Sequence, residues 1–197
     1  MKEISDKQII DFYQREGENH KHYQNSVYSK PHSRERFNTV CELIKPFAQR
    51  GETLLEIGCA EGLYCAYFSD QGGSKIVGID ISQPKIARAE QRPNIEYKVA
   101  NWENLVNEFS PKQFDVILAT EVIEHARDPQ KLVDDCMKIG KYLVSTVPTN
   151  EQPLEDPMKI QGHLSCFRMD TYLKLFEKYK IEKRVQTKLY GYAIITS

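Results

Sequence analysis

The chain lacks a long apolar run, an excess of either charge and any useful cysteine pattern, and each absence excludes something. No stretch approaches the ~20 consecutive apolar residues of a membrane-crossing helix, and the mean hydropathy is −0.57. With 27 Lys and Arg against 28 Asp and Glu, the net charge is −1. The totals therefore carry no electrostatic footprint for nucleic acid, which disfavours such a partner without excluding it. Five cysteines, Cys41, Cys59, Cys65, Cys136 and Cys166, are odd in number and never spaced C-x-x-C. That rules against a disulfide frame or a paired-cysteine zinc site and fits reduced thiols in a cytoplasmic protein. The first eleven residues carry Lys2, Glu3, Asp6 and Lys7 with no apolar core, so they do not read as a secretory signal. There is no repeat and no low-complexity tract. The 197 residues suit one domain with a sizeable core.

What is present changes character near residue 50. Residues 1–50 read as a helical cap. Ile4, Ile9, Ile10, Phe12 and Tyr13 give a first amphipathic helix, and a polar stretch follows from Gly17 to Pro31. A second helix, capped by Ser33, carries Phe37, Val40, Cys41, Leu43 and Ile44 and ends near Pro46. Residues 51–197 alternate short apolar strands with helices. Strands are expected at 53–57, 75–79, 95–99, 114–119 and 141–147. Helices are expected at 63–69, after Ser82, which can cap that helix, at 128–137 and, capped by Asp170, at 171–179. The end, 181–186 and 191–196, reads as two strands joined too tightly for a crossover, so one must be antiparallel. This order predicts a three-layer α/β fold around a mostly parallel sheet, with ligands at the carboxyl ends of the strands.

The first motif is Leu54-Leu55-Glu56-Ile57-Gly58-Cys59-Ala60-Glu61-Gly62. A strand ends at Ile57, and small residues at Gly58, Ala60 and Gly62 let the backbone turn sharply and approach a ligand. The helix start behind them favours a carboxylate or similar anion. The dinucleotide fingerprint wants glycine where this chain has Gly58, Ala60 and Leu63, so that reading is weak. No Gly-Lys-Ser/Thr follows, which excludes a P-loop. Asp80 ends the second strand about 18 residues beyond Gly62, the distance at which an acid reaches a ribose in this architecture. Singly these features also occur in ordinary αβ turns and solvated loops; together, at strand ends, they describe a nucleoside site.

With Phe114-Asp115-Val116-Ile117-Leu118-Ala119-Thr120-Glu121-Val122-Ile123-Glu124-His125, the glycine segment and the Asp80 strand end resemble the class I S-adenosylmethionine-dependent methyltransferases. The resemblance runs from about Leu54 to Val147. It implies a Rossmann-like, seven-stranded sheet with the last strand pair antiparallel. It also implies S-adenosyl-L-methionine as cofactor, with Glu56 and Gly58 near its methionine end, Asp80 on the ribose and Ile81 on the adenine. Where the family often has an acid facing the adenine amino group, this chain has Asn101, whose carbonyl can still accept. Trp102, the only tryptophan, could cover the ring.

A sulfonium methyl is already a strong electrophile, so the protein has only to align an acceptor, exclude water and remove a proton. Glu121, Glu124 and His125 follow the fourth strand, and His163 lies in a later loop. If 120–125 were helical, Glu121, Glu124 and His125 would share a face. Three roles are open. In one, His125 or His163 is a general base for O- or N-methylation of a small molecule, as in the small-molecule enzymes, quinone-biosynthetic ones among them, that share Glu-Val-Ile-Glu-His. In another, Glu121, Glu124, His125 and His163 hold a divalent metal, a pattern resembling the small-RNA 3′-terminal 2′-O-methyltransferases. In the third these residues only support the loop. A non-enzymatic scaffold or sensor that binds the cofactor is a further possibility, since a fold does not fix a function. His20, His22, Tyr23, Tyr28 and His32 cluster ahead of Arg34 and Arg36. The tyrosines are candidates to close over the pocket, and the arginines to anchor an acidic substrate.

Overall fold

A computed structural model describes residues 6–19, 30–150 and 162–197. The helices are α1 (Asp6–Asn19), α2 (Pro31–Gln49), α3 (Leu63–Asp70), α4 (Gln83–Ile86), α5 (Leu105–Glu108), α6 (Pro129–Ile139) and α7 (Met169–Lys174). The strands are β1 (Leu54–Ile57), β2 (Ile76–Asp80), β3 (Ile95–Val99), β4 (Phe114–Thr120), β5 (Gly140–Pro148), β6 (Lys180–Gln186) and β7 (Tyr190–Thr196). They form one sheet in the order β3-β2-β1-β4-β5-β7-β6. The pairs from β3 through β5 are parallel, and β7 runs antiparallel to both its neighbours. The three-layer Rossmann-like sheet with an antiparallel last strand pair is therefore present as the strand-helix alternation predicted.

Alternation along each strand divides the core in two. Leu55, Ile57, Val77, Ile79, Ile117 and Leu143 face a layer containing Leu132, Val133 and Cys136 of α6 and Tyr172 of α7. Leu54, Ile76, Val116, Leu118 and Val144 face Val40, Leu43, Ile44 and Phe47 of α2 and Phe68 of α3. At the far edge, Ile181 packs with the first set and Val185 with the second, although four residues apart they should share a face. The cause is a bulge between Ile181 and Lys183, which slips the register against β7 by one residue and inverts the faces beyond it.

Local capping departs from expectation at three helices: at α4, Ser82 holds the N-cap position but its hydroxyl makes no capping hydrogen bond. Helix α2 starts at Pro31, whose fixed φ suits the first helical position, so Ser33 lies inside the first turn and is buried. At α7 the N-cap is Arg168, whose N–H donates to Thr171 Oγ1 (2.9 Å) while that hydroxyl donates to Arg168 O (2.9 Å); Asp170 sits within the first turn. The segment beyond Lys174 tightens into three-residue turns, Leu175 to Tyr172 and Phe176 to Leu173, and so leaves the α geometry early. Asp128 does cap α6, accepting from Lys131 N at 2.9 Å.

Glu56 is the costly residue of the central strand. Its side chain points under α3, where Oε2 accepts the Cys65 N–H at 2.9 Å. Burial pushes its carboxyl up to about 8, only partly offset by the hydrogen bonding at Cys65. The folded chain then keeps a proton that the unfolded chain has lost, so stability falls as pH rises from about 4.5 to 8. Glu56→Gln should match wild type near pH 4.5 and be the more stable at pH 8, by on the order of 4 kcal/mol. Thermal unfolding of the two cofactor-free proteins across that range measures it, and a constant difference would contradict the assignment.

Candidate cofactor and acceptor site

Strand β1 delivers its chain into a turn that only small residues tolerate: Gly58, Ala60 and Gly62 have φ of 69°, 50° and 75°. Asp80 holds that turn. Its Oδ2 accepts the Ala60 N–H and its Oδ1 the Ser82 N–H, both at 2.8 Å. One carboxylate thus ties the β1 turn to the end of β2, and each oxygen keeps a lone pair for a ligand hydroxyl. Gly62 plays a different part. It caps α3, and a Cβ there would lie 2.1 Å from the Tyr97 hydroxyl, so its smallness serves packing.

A cavity of about 540 Å³ opens at these strand ends. Gly58, Ala60, Asp80, Ile81 and Trp102 line it on the β1–β3 side, and Glu121, His125 and His163 on the β4–β5 side. A smaller cavity beside it is lined by Glu56, Gly58, Ala60, Tyr64 and Thr120, and Arg36 reaches both. Asn101 is not among the lining residues. Its side-chain oxygen accepts the Glu103 N–H at 3.0 Å and caps the short 3₁₀ turn Trp102–Asn104. Trp102 is buried against the cavity, and its indole N–H has no partner among the described residues.

The segment after β4 is not a helix. Glu121 takes a left-handed φ of 55°, and only Ile123–His125 form a 3₁₀ turn, so Glu121 and Glu124 do not share a helical face. The strain at Glu121 is held by its partners. Arg36 Nη1 lies 2.9 Å from Oε2, Thr146 donates to Oε1 at 2.9 Å, and the Glu121 N–H reaches Thr146 O at 3.1 Å. Arg36 in turn lies 5.2 Å over the Tyr190 ring. The pair pins α2 to the carboxyl ends of β4 and β5.

Glu124 turns the other way. Its carbonyl accepts from Leu164 N (2.8 Å) and Ser165 N (2.9 Å), which draws the His163 loop in until the His125 and His163 rings are 4.7 Å apart. Glu124, His125 and His163 each offer a ligand atom, all within 4.8 Å of one another. These three could hold a divalent metal ion; Glu121, the fourth residue of that reading, is committed to Arg36 and Thr146. Burial pushes the His125 imidazole down to about 4, with proximity of His163 and Lys85 adding to it and a hydrogen bond to Gly162 opposing it. The ring is therefore neutral at pH 7, as a base or a metal ligand must be.

Helix α1 lies across this site. Gln14 donates to Ile81 O at 2.9 Å, and the Tyr13 hydroxyl is 2.7 Å from His125 Nδ1. The Tyr13 ring meets both Trp102 and His125 edge-on. The sequence marked Tyr13 only as part of an apolar helical side; its hydroxyl is the feature that reading overlooked. His20, His22, Tyr23 and Tyr28 lie outside the described residues. His32, on α2, lines the main cavity.

Comparisons with known proteins agree with this architecture. An N-methyltransferase, NodS, from Bradyrhizobium japonicum WM9, solved with S-adenosyl-L-homocysteine, is 19% identical and superposes with a TM-score of 0.71. That match covers 94% of this chain and 98% of the other. A methyltransferase from Listeria monocytogenes gives 0.60 at 16% identity, over 75% of this chain and 91% of the other. Among curated sequences, a mitochondrial ubiquinone biosynthesis O-methyltransferase from Dictyostelium discoideum is 28% identical over 162 residues, which is 68% of this chain and 50% of that protein. One from Rhodopseudomonas palustris is 36% identical over 106 residues, 51% of this chain and 42% of that protein. The chain thus spans about half the length of the curated relatives it matches. A family model described as a methyltransferase domain matches residues 32–186, from the start of α2 through β6. The glycine turn, the acid ending β2 and the loop after β4 all fall inside that match, and the chain belongs to this methyltransferase-domain family.

Proposed function

We propose that the chain binds S-adenosyl-L-methionine and transfers its methyl group to an oxygen or nitrogen of a small molecule. The observation that carries this reading is the neutral His125 imidazole on the wall of a cavity whose other wall is the Asp80 nucleoside site. At about 540 Å³ the cavity lies within the ~300–1,000 Å³ typical of small-molecule sites. Helix α1 lies over it, which suits a small acceptor better than a polymer.

The residues fit the cofactor. The remaining lone pairs of Asp80 suit a ribose diol, Ile81 and Trp102 give apolar and aromatic surface for an adenine, and the Trp102 N–H, without a partner among the described residues, could donate to a ring nitrogen. Arg36, which lines both cavities, suits a carboxylate. The cofactor, when bound, supplies an electrophilic methyl group. The chain's own work is to hold the acceptor in line, exclude water under α1, and take a proton onto His125 where the acceptor is a hydroxyl or an amine.

A second reading puts a divalent ion on Glu124, His125 and His163, supported by the approach of their ligand atoms to within 4.8 Å. The ion would then lower the acceptor's pKa in place of a base. The two readings predict opposite responses to chelation.

Two outcomes are expected. Asp80→Ala should weaken S-adenosyl-L-homocysteine binding by about 1–3 kcal/mol in calorimetry, the cost of losing a buried charge-assisted pair of hydrogen bonds; unchanged affinity would contradict the ribose assignment. With radiolabelled cofactor and the low-molecular-mass fraction of a cell extract as acceptor source, His125→Asn should lower transfer by about 10²-fold or more while that affinity is kept. EDTA should not affect the wild type. Full activity in His125→Asn would sink the base reading, and collapse in EDTA reversed by Mn²⁺ would replace the base with the ion.

A further inference from the structure

Three segments distant in sequence meet at one ring atom. His125 Nδ1 lies 2.7 Å from the Tyr13 hydroxyl of α1 and 3.0 Å from the carbonyl of Gly162. The crossing is tight. Gly162 has φ of 70°, and a Cβ on it would come within 3.2 Å of the Tyr13 hydroxyl and 3.3 Å of the Phe12 ring. A carbonyl can only accept, so of the two neutral tautomers the one compatible with Gly162 carries its proton on Nδ1. A phenol oxygen can accept that same proton from the other side in a three-centre bond. Burial and the nearby carboxylates of Glu124, Asp80 and Glu16 raise the pKa of Tyr13, so it stays a neutral phenol.

We infer that Tyr13 is a positioning residue for His125: together with the Gly162 carbonyl it keeps the ring proton on Nδ1 and so leaves the lone pair at Nε2. This rests on the reading of His125 as the base. When Nε2 takes a proton, the positive charge that develops on the ring is shared with Nδ1–H, which already has two acceptors in place. Because Tyr13 belongs to the helix that covers the pocket, the ring is fully set only with α1 in position. Gln14 on Ile81 O holds the same helix against the adenine side of the site.

The test is the tautomer of His125 in ¹⁵N-histidine-labelled protein saturated with S-adenosyl-L-homocysteine, read by long-range ¹H–¹⁵N correlation at neutral pH. The His125 signal is assigned by its absence in His125→Asn. Wild type should show a pyrrole-type Nδ1 and a pyridine-type Nε2. Tyr13→Phe keeps the ring against Trp102 and His125 and removes only the hydroxyl. It should raise the Nε2–H form at least about twofold while affinity for S-adenosyl-L-homocysteine stays within about twofold. A wild-type ring protonated at Nε2, or a tautomer ratio indifferent to Tyr13→Phe, would overturn the inference. Because this readout needs no turnover, it judges Tyr13 even if full activity in His125→Asn has removed the base reading.

Discussion

The site depends on one carboxylate. Asp80 accepts a backbone N–H from the β1 turn and another from the chain leaving β2. It thereby fixes a loop whose three small residues all sit at positive φ. Without it, two buried donors would be orphaned and a strained turn would lose its tether. With it, the carboxyl ends of β1 and β2 form a rigid edge beside the point where the strand order reverses between β2-β1 and β4-β5. Everything proposed for the nucleoside builds outward from that edge.

The opposite wall is assembled on different terms. Arg36 and Glu121 neutralise each other across α2 and the β4 loop, and His125 is held neutral; in the smaller cavity beside this wall, Glu56 of β1 is pushed toward its protonated form. Around His125 the polarity lies in oriented hydrogen bonds to Tyr13 and Gly162 that need no reorganisation during reaction. Helix α1 completes the enclosure with an amide on one side and a phenol on the other.

How much of this was legible follows from how local each feature is. The strands were readable because central strands covered on both faces read as short, nearly continuous apolar runs, and the placement of Asp80 because it directly ends one of those runs. The left-handed Glu121 was not. Nothing in Thr120-Glu121-Val122 announces positive φ, which is imposed by Thr146 and Arg36 from elsewhere in the chain. Asn101 has a use the sequence reading did not consider: its side-chain oxygen caps the turn that follows it, a purely local bond. Tyr13 was beyond reach, since its partner lies 112 residues away and only the folded crossing of α1 over the site brings them together. The β6 bulge, a register event, likewise leaves no trace in the hydrophobic pattern until its faces are compared across the sheet.

The most direct test of the whole account is the fate of the methyl group. Wild-type protein is incubated with radiolabelled S-adenosyl-L-methionine and a cell extract, and the extract is then separated into small molecules, RNA and protein. The account predicts label in the small-molecule fraction, on an oxygen or nitrogen of a compound that mass spectrometry can identify. Label confined to RNA or protein, or transferred to nothing, would contradict it.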